Sequence, residues 1–313
     1  MAGKIMYCIM PTRFLSDPYG PEHIERIREK VRSWGYAPTI PFDAGPYRDF
    51  EGGSLGREGT LKFMLKYQAI CDASGVFGIS AGAMNELKQA IQTGQELRID
   101  LSFDPEWYLY YKNMQPEFGD LLAQVRGPHH LIALVGPTAI GKTYWMNWLL
   151  NTLPSKIRRV KNTTTRRLRE HNREEEMSSY NFVARDFFES QIKAGAFAEH
   201  DSFRGEYYGS NMKDIRAILK DSSGIFALTP KGASALYARR YEINLTIILL
   251  VPANRHVLIN NLRRRQVPKS QWLDQLRTVE QFVLPPEIEH RRMVITGTKE
   301  DGEKISSIIE QLI

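Results

Sequence analysis

Apolar and polar residues follow one another along this chain in blocks that read as strands succeeded by helices. Lys4–Met10 is a short apolar run closed by Pro11, the pattern of a buried strand. Pro21 opens a segment whose apolar positions Ile24, Ile27, Val31 and Trp34 fall near one helical face, and Gly35 supplies the stop. The same reading predicts a helix over Thr60–Cys71, a strand over Gly75–Ile79, a helix over Ala83–Thr93 closed by Gly94, and a strand over Leu97–Leu101. That order favours a parallel sheet with crossover helices, because parallel neighbours cannot be joined by tight hairpins. Pro105–Gln115, with Trp107, Tyr108, Tyr110 and Tyr111, fits an aromatic cover over the sheet, a dimer contact or a base-stacking surface.

The pattern breaks at Arg126-Gly127-Pro128, and Leu131–Val135 begins a new strand that runs directly into a glycine-rich loop. Two α/β domains, 1–126 and 127–313, are therefore expected of these 313 residues. With 42% hydrophobic and 25% charged residues the chain can build ordinary cores, which excludes a disordered or disulfide-scaffold protein. Cys8 and Cys71 lie in apolar stretches and fit a reducing compartment. The longest apolar runs, such as Leu245–Val251, fall far short of the roughly 20 residues that span a bilayer, and Pro11-Thr12-Arg13 follows the first run where a secretory signal would continue. A cytoplasmic protein with no membrane partner is expected. The net charge of +6 by itself admits nucleic acid, a membrane surface or nucleotides. Its distribution is uneven: residues up to Gly127 carry 14 basic and 16 acidic side chains (−2), and the remainder 28 and 20 (+8). The excess therefore belongs to the second half, which narrows the anionic partner to nucleotide phosphate and leaves a polynucleotide as the minor alternative.

Gly136-Pro137-Thr138-Ala139-Ile140-Gly141-Lys142-Thr143 has the two glycines, Lys and Thr of a phosphate loop, between an apolar strand and the apolar helix pattern of Tyr144–Leu150. Glycines let backbone N–H groups curl around phosphate oxygens, and the helix that follows points its positive end at them. Gly136, Thr138, Gly141, Lys142 and Thr143 are the expected ATP-binding residues, Lys142 reaching the β- and γ-phosphates and Thr143 ligating Mg2+.

Downstream come Asn162-Thr163-Thr164-Thr165-Arg166-Arg167-Leu168-Arg169, Tyr180-Asn181-Phe182-Val183, Phe197-Ala198-Glu199 and Gly205-Glu206-Tyr207-Tyr208-Gly209-Ser210. In order and spacing these resemble guanylate kinases, over Leu131 to about Ile313. Guanidiniums, phenols and hydroxyls suit a monophosphate, whose oxygens arginine can grip bidentately. The resemblance implies that Arg166, Arg169, Tyr180 and Tyr208 hold the acceptor phosphate, that Thr163, Glu199 and Ser210 face its base, and that Arg263, Arg264 and Arg265 are lid arginines over the transferring phosphoryl group. Arg277 is a further lid candidate, with Gln275 where a second arginine is expected. One element departs from the family: its Asp-x-Asp-x-x-Gly is here Ala227-Leu228-Thr229-Pro230-Lys231-Gly232, without either carboxylate. That leaves the acceptor base and the magnesium shell open.

In the first half, Ser80-Ala81-Gly82-Ala83-Met84-Asn85-Glu86 puts a carboxylate at the first turn of a helix, where the dipole alone would favour it. Together with Pro11-Thr12-Arg13, Trp34-Gly35-Tyr36 and Ile70-Cys71-Asp72-Ala73, it resembles the nucleoside 2-deoxyribosyltransferase superfamily, and within it the deoxynucleoside 5′-monophosphate N-hydrolases. The resemblance implies a flavodoxin-like parallel sheet, Glu86 as nucleophile at the anomeric carbon, and Arg13, Ser80 and Gly82 at the 5′-phosphate. Asp43, Asp49 or Glu58 could supply the second carboxyl. Such relatives share active sites between subunits, which implies a homo-oligomer. The expected function is a bifunctional enzyme that phosphorylates a (deoxy)nucleoside monophosphate and cleaves or exchanges a glycosidic bond; a nucleotide-sensing module with a degenerate kinase domain and a kinase of polynucleotide ends are the alternatives.

Overall fold

The first apolar run forms strand β1 (Ile5–Ile9), buried at every position but Ile5. A computed structural model describes residues 4–11, 14, 19–41, 56–104, 107–168, 173–203, 205–277 and 282–313, with the side chains at 56–58, 108–115, 175, 203, 274 and 277 outside the description. The chain divides into two compact units, Met1–Arg126 with Lys193–Gly195, and Gly127–Ile192 with Ala196–Ile313.

In the first unit β1 is joined through helix α1 (Gly20–Ser33) to β2 (Ala37–Thr39), then come α2 (Gly56–Ala69), β3 (Ala73–Val76), α3 (Ala81–Gln92), β4 (Glu96–Ile99) and α4 (Trp107–Arg126). The four strands are all parallel, in the order β2-β1-β3-β4. Helix α1 buries Ile24, Ile27 and Val31 against Met6, Cys8 and Phe77, as the spacing predicts. Strand β2 goes beyond the sequence reading; three residues long and holding Pro38, it takes the edge, where a missing N–H is tolerated. Strand β3 ends earlier than the apolar run because the Ile79 N–H leaves the ladder and donates to Asp104 Oδ2 at 3.1 Å. Likewise Leu101 leaves β4 for a 3-10 turn, Leu101–Phe103, capped by Asp100. The aromatic tract 105–115 falls largely in α4, and its proposed roles lie outside the described side chains.

The second unit centres on a five-stranded parallel sheet ordered β13-β12-β5-β11-β6, from β5 (His130–Val135), β6 (Ile157–Arg159), β11 (Ser223–Leu228), β12 (Asn244–Pro252) and β13 (Arg291–Ile295). Helices cover both faces, which is why Leu131–Val135 is apolar at every position. Leu131, Ala133 and Val135 meet α8 (Met212–Leu219) and α9 (Pro230–Tyr237); Ile132 and Leu134 meet α5 (Lys142–Thr152), α10 (Arg255–Arg264) and α12 (Lys299–Glu310). A second, mixed sheet, ordered β8-β7-β10-β9, joins β7 (Asn162–Thr164), β8 (Tyr180–Phe182), β9 (Phe197–Phe203) and β10 (Glu206–Asn211). Two short helices flank β8, α6 (Arg173–Ser179) before it and α7 (Arg185–Lys193) after it, and α11 (Trp272–Arg277) follows α10. Among the described residues no helix is long and apolar enough to cross a membrane.

Candidate functional site

The loop between β5 and α5 needs its glycines. A Cβ at Gly136 would stand 2.7 Å from the Leu250 carbonyl oxygen, and Gly141 has φ +96°. Ala139, at φ 65°, is held in that conformation by Asn261 of α10, whose Nδ2 donates to the Ala139 carbonyl at 2.8 Å. Lys142 Nζ donates to the loop's own carbonyls, Gly136 O at 2.6 Å and Pro137 O at 3.1 Å. Burial first, then the nearby Arg265 charge, lowers its pKa to about 8.

This loop opens on a cleft of about 880 Å³ lined by Thr138, Thr143, Arg159, Asn162, Glu176, Tyr180, Ala227 and Arg265, among others. Arg166 stands beside it, paired with Glu176 at 2.6 Å and 5.0 Å above the centre of the Tyr180 ring. Both partners of that pair are largely buried, so Arg166 is positioned before any phosphate arrives. Of the three arginines expected at the lid, Arg265 lines the cleft; Arg263 lies over the Trp272 ring at 5.7 Å, and Arg264 is exposed. Gln275 lines the cleft, whereas Arg169 and the Arg277 side chain lie outside the described residues.

The mixed sheet carries its polar side chains in rows. Strand pairing sets Ser210 opposite Glu199 and Tyr208 opposite Asp201, Tyr208 opposite Thr164, and Asn162 and Thr164 opposite Tyr180 and Phe182. Directly paired residues share a face, so one row runs Glu199, Ser210, Asn162, Tyr180 and the next Asp201, Tyr208, Thr164, Phe182. Ser210 Oγ lies 2.7 Å from Glu199 Oε1 and 3.0 Å from Asn162 Oδ1, two acceptors for one proton. Burial pushes Glu199 up to about 7, against the hydrogen bond from Ser210. Thr163, expected at the base, pairs with Gly209 and so points to the other face; Asn162 takes its place in the row. Counting back two residues from Thr164 along the strand would have found it. Between Ser210 and Asn211 the register shifts by a bulge.

In the first unit, Ser80 caps α3, accepting from the Ala83 N–H at 3.2 Å. A Cβ at Gly82 would meet nothing closer than Ser80 Oγ at 3.9 Å, so the backbone there is open to approach. Glu86 lies in the second turn of α3 and not the first, because the helix already starts at Ala81; it is buried, and Tyr7 of β1 donates its hydroxyl to Glu86 Oε1 at 2.7 Å. Burial raises the Glu86 carboxyl to about 7, partly offset by Tyr7; the Tyr7 hydroxyl itself is pushed up by burial and by Glu86. Gln68 ties α2 to this helix, donating to the Glu86 carbonyl at 2.9 Å. Tyr7 escapes the sequence reading because it stands inside an apolar run. Arg13, Asp43 and Asp49, and the side chain of Glu58, lie outside the described residues.

Among the described residues no group of three or more His, Cys, Asp or Glu side chains is placed to hold a metal ion. Magnesium keeps several waters and takes phosphate oxygens, so one protein hydroxyl beside a triphosphate suits it, and Thr143 on the cleft fits that role.

Against known proteins, residues 129–310 match the family model described as guanylate kinase. Guanylate kinase of Myxococcus xanthus is 31% identical over 147 residues, 47% of this chain and 68% of that one. Guanylate kinase of Chlorobium luteolum is 30% identical over 137 residues, 44% and 68% respectively. The crystal structure of guanylate kinase from Anaplasma phagocytophilum is 21% identical, covers 60% of this chain and 88% of that one, and aligns with a TM-score of 0.42.

Proposed function

Since the chain belongs to the guanylate kinase family, we propose that its second unit transfers the γ-phosphoryl group of ATP to a nucleoside monophosphate, and that its first unit cleaves or exchanges the N-glycosidic bond of a deoxynucleotide. The observation that carries the kinase reading is one cleft lined both by the phosphate-loop Thr143 with Arg265 and by Tyr180, Glu176 and Asn162, with Lys142 bonded to the loop's own carbonyls. An oxygen of the acceptor phosphate attacks the γ-phosphorus, the bond to the β,γ-bridging oxygen breaks, and ADP leaves. Lys142 exchanges the carbonyls of Gly136 and Pro137 for phosphate oxygens. Arg166, Tyr180 and Tyr208 hold the acceptor in line, Arg265 faces the charge that spreads over the equatorial oxygens, and Glu199, Ser210 and Asn162 read the base. Magnesium held at Thr143 neutralises phosphate charge when bound.

The buried Tyr7–Glu86 pair favours the second activity. An ionised Glu86 oxygen attacks the anomeric carbon as the bond to the base breaks, the base leaves with the electron pair and gains a proton, and water then opens the glycosyl ester. Ser80 and Gly82, at the open start of α3, bind the 5′-phosphate.

One panel tests both activities: the full-length protein with ATP, Mg2+ and ribo- and deoxynucleoside monophosphates, assayed for diphosphates and free bases. Diphosphate lost in Lys142→Ala and free base lost in Glu86→Ala are expected. A wild-type protein that binds nucleotides and yields neither product would make it a sensing module.

A further inference from the structure

In the mixed sheet of the second unit, Asp201 stands on the same face of β9 as Glu199, one row further along, and opposite Tyr208 of β10. Its Oδ2 accepts from the Thr229 hydroxyl at 2.9 Å. Thr229 is the N-cap of α9; its hydroxyl also accepts from the Gly232 N–H at 3.0 Å. The only proton of the Thr229 hydroxyl is therefore committed to Asp201. Glu199 packs over the same turn, since a Cβ on Gly232 would stand 2.8 Å from Glu199 Oε2. The start of α9 thus braces two carboxylates on β9 and offers none itself.

The other oxygen of Asp201 is held differently. Oδ1 accepts from the backbone N–H of Ser202 at 2.8 Å and from Lys231 Nζ at 2.9 Å. The Lys231 side chain is 72% exposed, and an ion pair to so exposed a lysine is weak and readily exchanged. A ligand N–H can replace the ammonium at little cost, whereas the bond from Thr229 keeps the carboxylate aimed. Burial alone would raise the Asp201 carboxyl, but the hydrogen bonds from Lys231 and Thr229 more than offset it and keep it below the usual range. The group is a fixed acceptor, in register beside the row that reads the base and beside Tyr208.

We propose that Asp201 is a specificity-determining residue that accepts a hydrogen bond from an exocyclic amino group of the acceptor base, supplying from β9 the carboxylate that position 229 lacks. The inference rests on the kinase reading of the second unit. It implies an acceptor whose base carries an amino group, and discrimination against the counterpart without one. A ligand N–H that replaces the exposed ammonium gains a hydrogen bond to a carboxylate, worth about 1.5–3 kcal/mol, roughly tenfold or more in affinity, and a ligand without the amino group leaves Lys231 in place and gains nothing.

The test compares monophosphates that differ at one exocyclic amino group, guanosine against inosine, where hydrogen replaces it, and adenosine against inosine and cytidine against uridine, where a carbonyl does, by kcat and KM and by calorimetric binding to the full-length protein. Wild type is expected to favour one amino-bearing member by at least roughly tenfold. Asp201→Asn keeps the shape and removes the charge. It should raise KM for the favoured member about tenfold, change kcat little and abolish the preference over the des-amino partner. Thr229→Asp alone places two carboxylates against each other and should bind worse than wild type. In the double variant Asp201→Asn/Thr229→Asp the charge is restored on the hydrogen-bonded neighbour at the start of α9, and most of the preference should return. Unchanged selectivity in Asp201→Asn, an equal loss for every monophosphate, or a double variant no better than Asp201→Asn would each overturn the inference while wild type still makes diphosphate. A wild-type protein that neither binds nor phosphorylates any monophosphate would overturn the kinase reading, and the inference with it.

Discussion

At the scale of single residues, the two glutamates raised to about 7, Glu86 and Glu199, are each held by one hydroxyl. For Glu86 the sign of the linkage is definite. Its folded value lies above the ordinary 4.5, so between roughly pH 4.5 and 7 the folded state binds the extra proton. Stability therefore falls as pH rises through that window and is level above it. Glu86→Gln should remove this fall, worth up to about 3 kcal/mol, seen as a smaller drop in Tm between pH 5 and pH 8 than in wild type. As a nucleophile Glu86 must be ionised, so release of free base should rise through about pH 7. Tyr7→Phe removes the hydrogen bond that lowers the Glu86 pKa and should move the midpoint of that profile to higher pH. An unshifted profile would show that Tyr7 does not govern the ionisation. Neither the pair nor its burial is legible in the sequence, where Tyr7 looks like one more apolar strand position and its partner is 79 residues away.

At the scale of elements, the sequence is most legible where period and breaker agree. The strand ended by Pro11 and the helix between Pro21 and Gly35 lie where the pattern places them. Boundaries move where a side chain takes over a backbone group, as Asp104 does at Ile79. The mixed sheet is hidden for a different reason: its strands are short and carry polar side chains such as Asn162 and Ser210 that bond to one another, and hydrophobic alternation has nothing to register. The phosphate loop is legible as a motif, but its support is not. Asn261, more than a hundred residues downstream, holds Ala139 at positive φ through its carbonyl. Asn261→Ala should therefore raise KM for ATP about tenfold with a smaller effect on kcat, because a loop free to leave its binding shape must be reordered for each nucleotide. Steady-state kinetics with varied ATP, set beside varied monophosphate as a control, measures it.

For the whole molecule, the uneven charge of the two halves, −2 up to Gly127 and +8 beyond, separates the two proposed activities by their response to salt. Raising salt from about 0.05 to 0.5 M shortens the Debye length roughly threefold and should raise KM for the monophosphate in diphosphate formation several-fold. The KM for base release should move less than twofold. Equal responses would mean that the charge excess does not serve substrate capture. The register shift between Ser210 and Asn211 bears on how such a molecule can change. Each side chain in the rows of β9 and β10 owes its direction to its place in the count, and the bulge fixes where that count ends. One residue inserted or deleted before Ser210 would turn Tyr208 or Ser210 to the opposite face and scramble both rows together. A substitution at 201 or 229 thus alters one side chain in place, whereas a change in the length of these strands redirects whole rows at once.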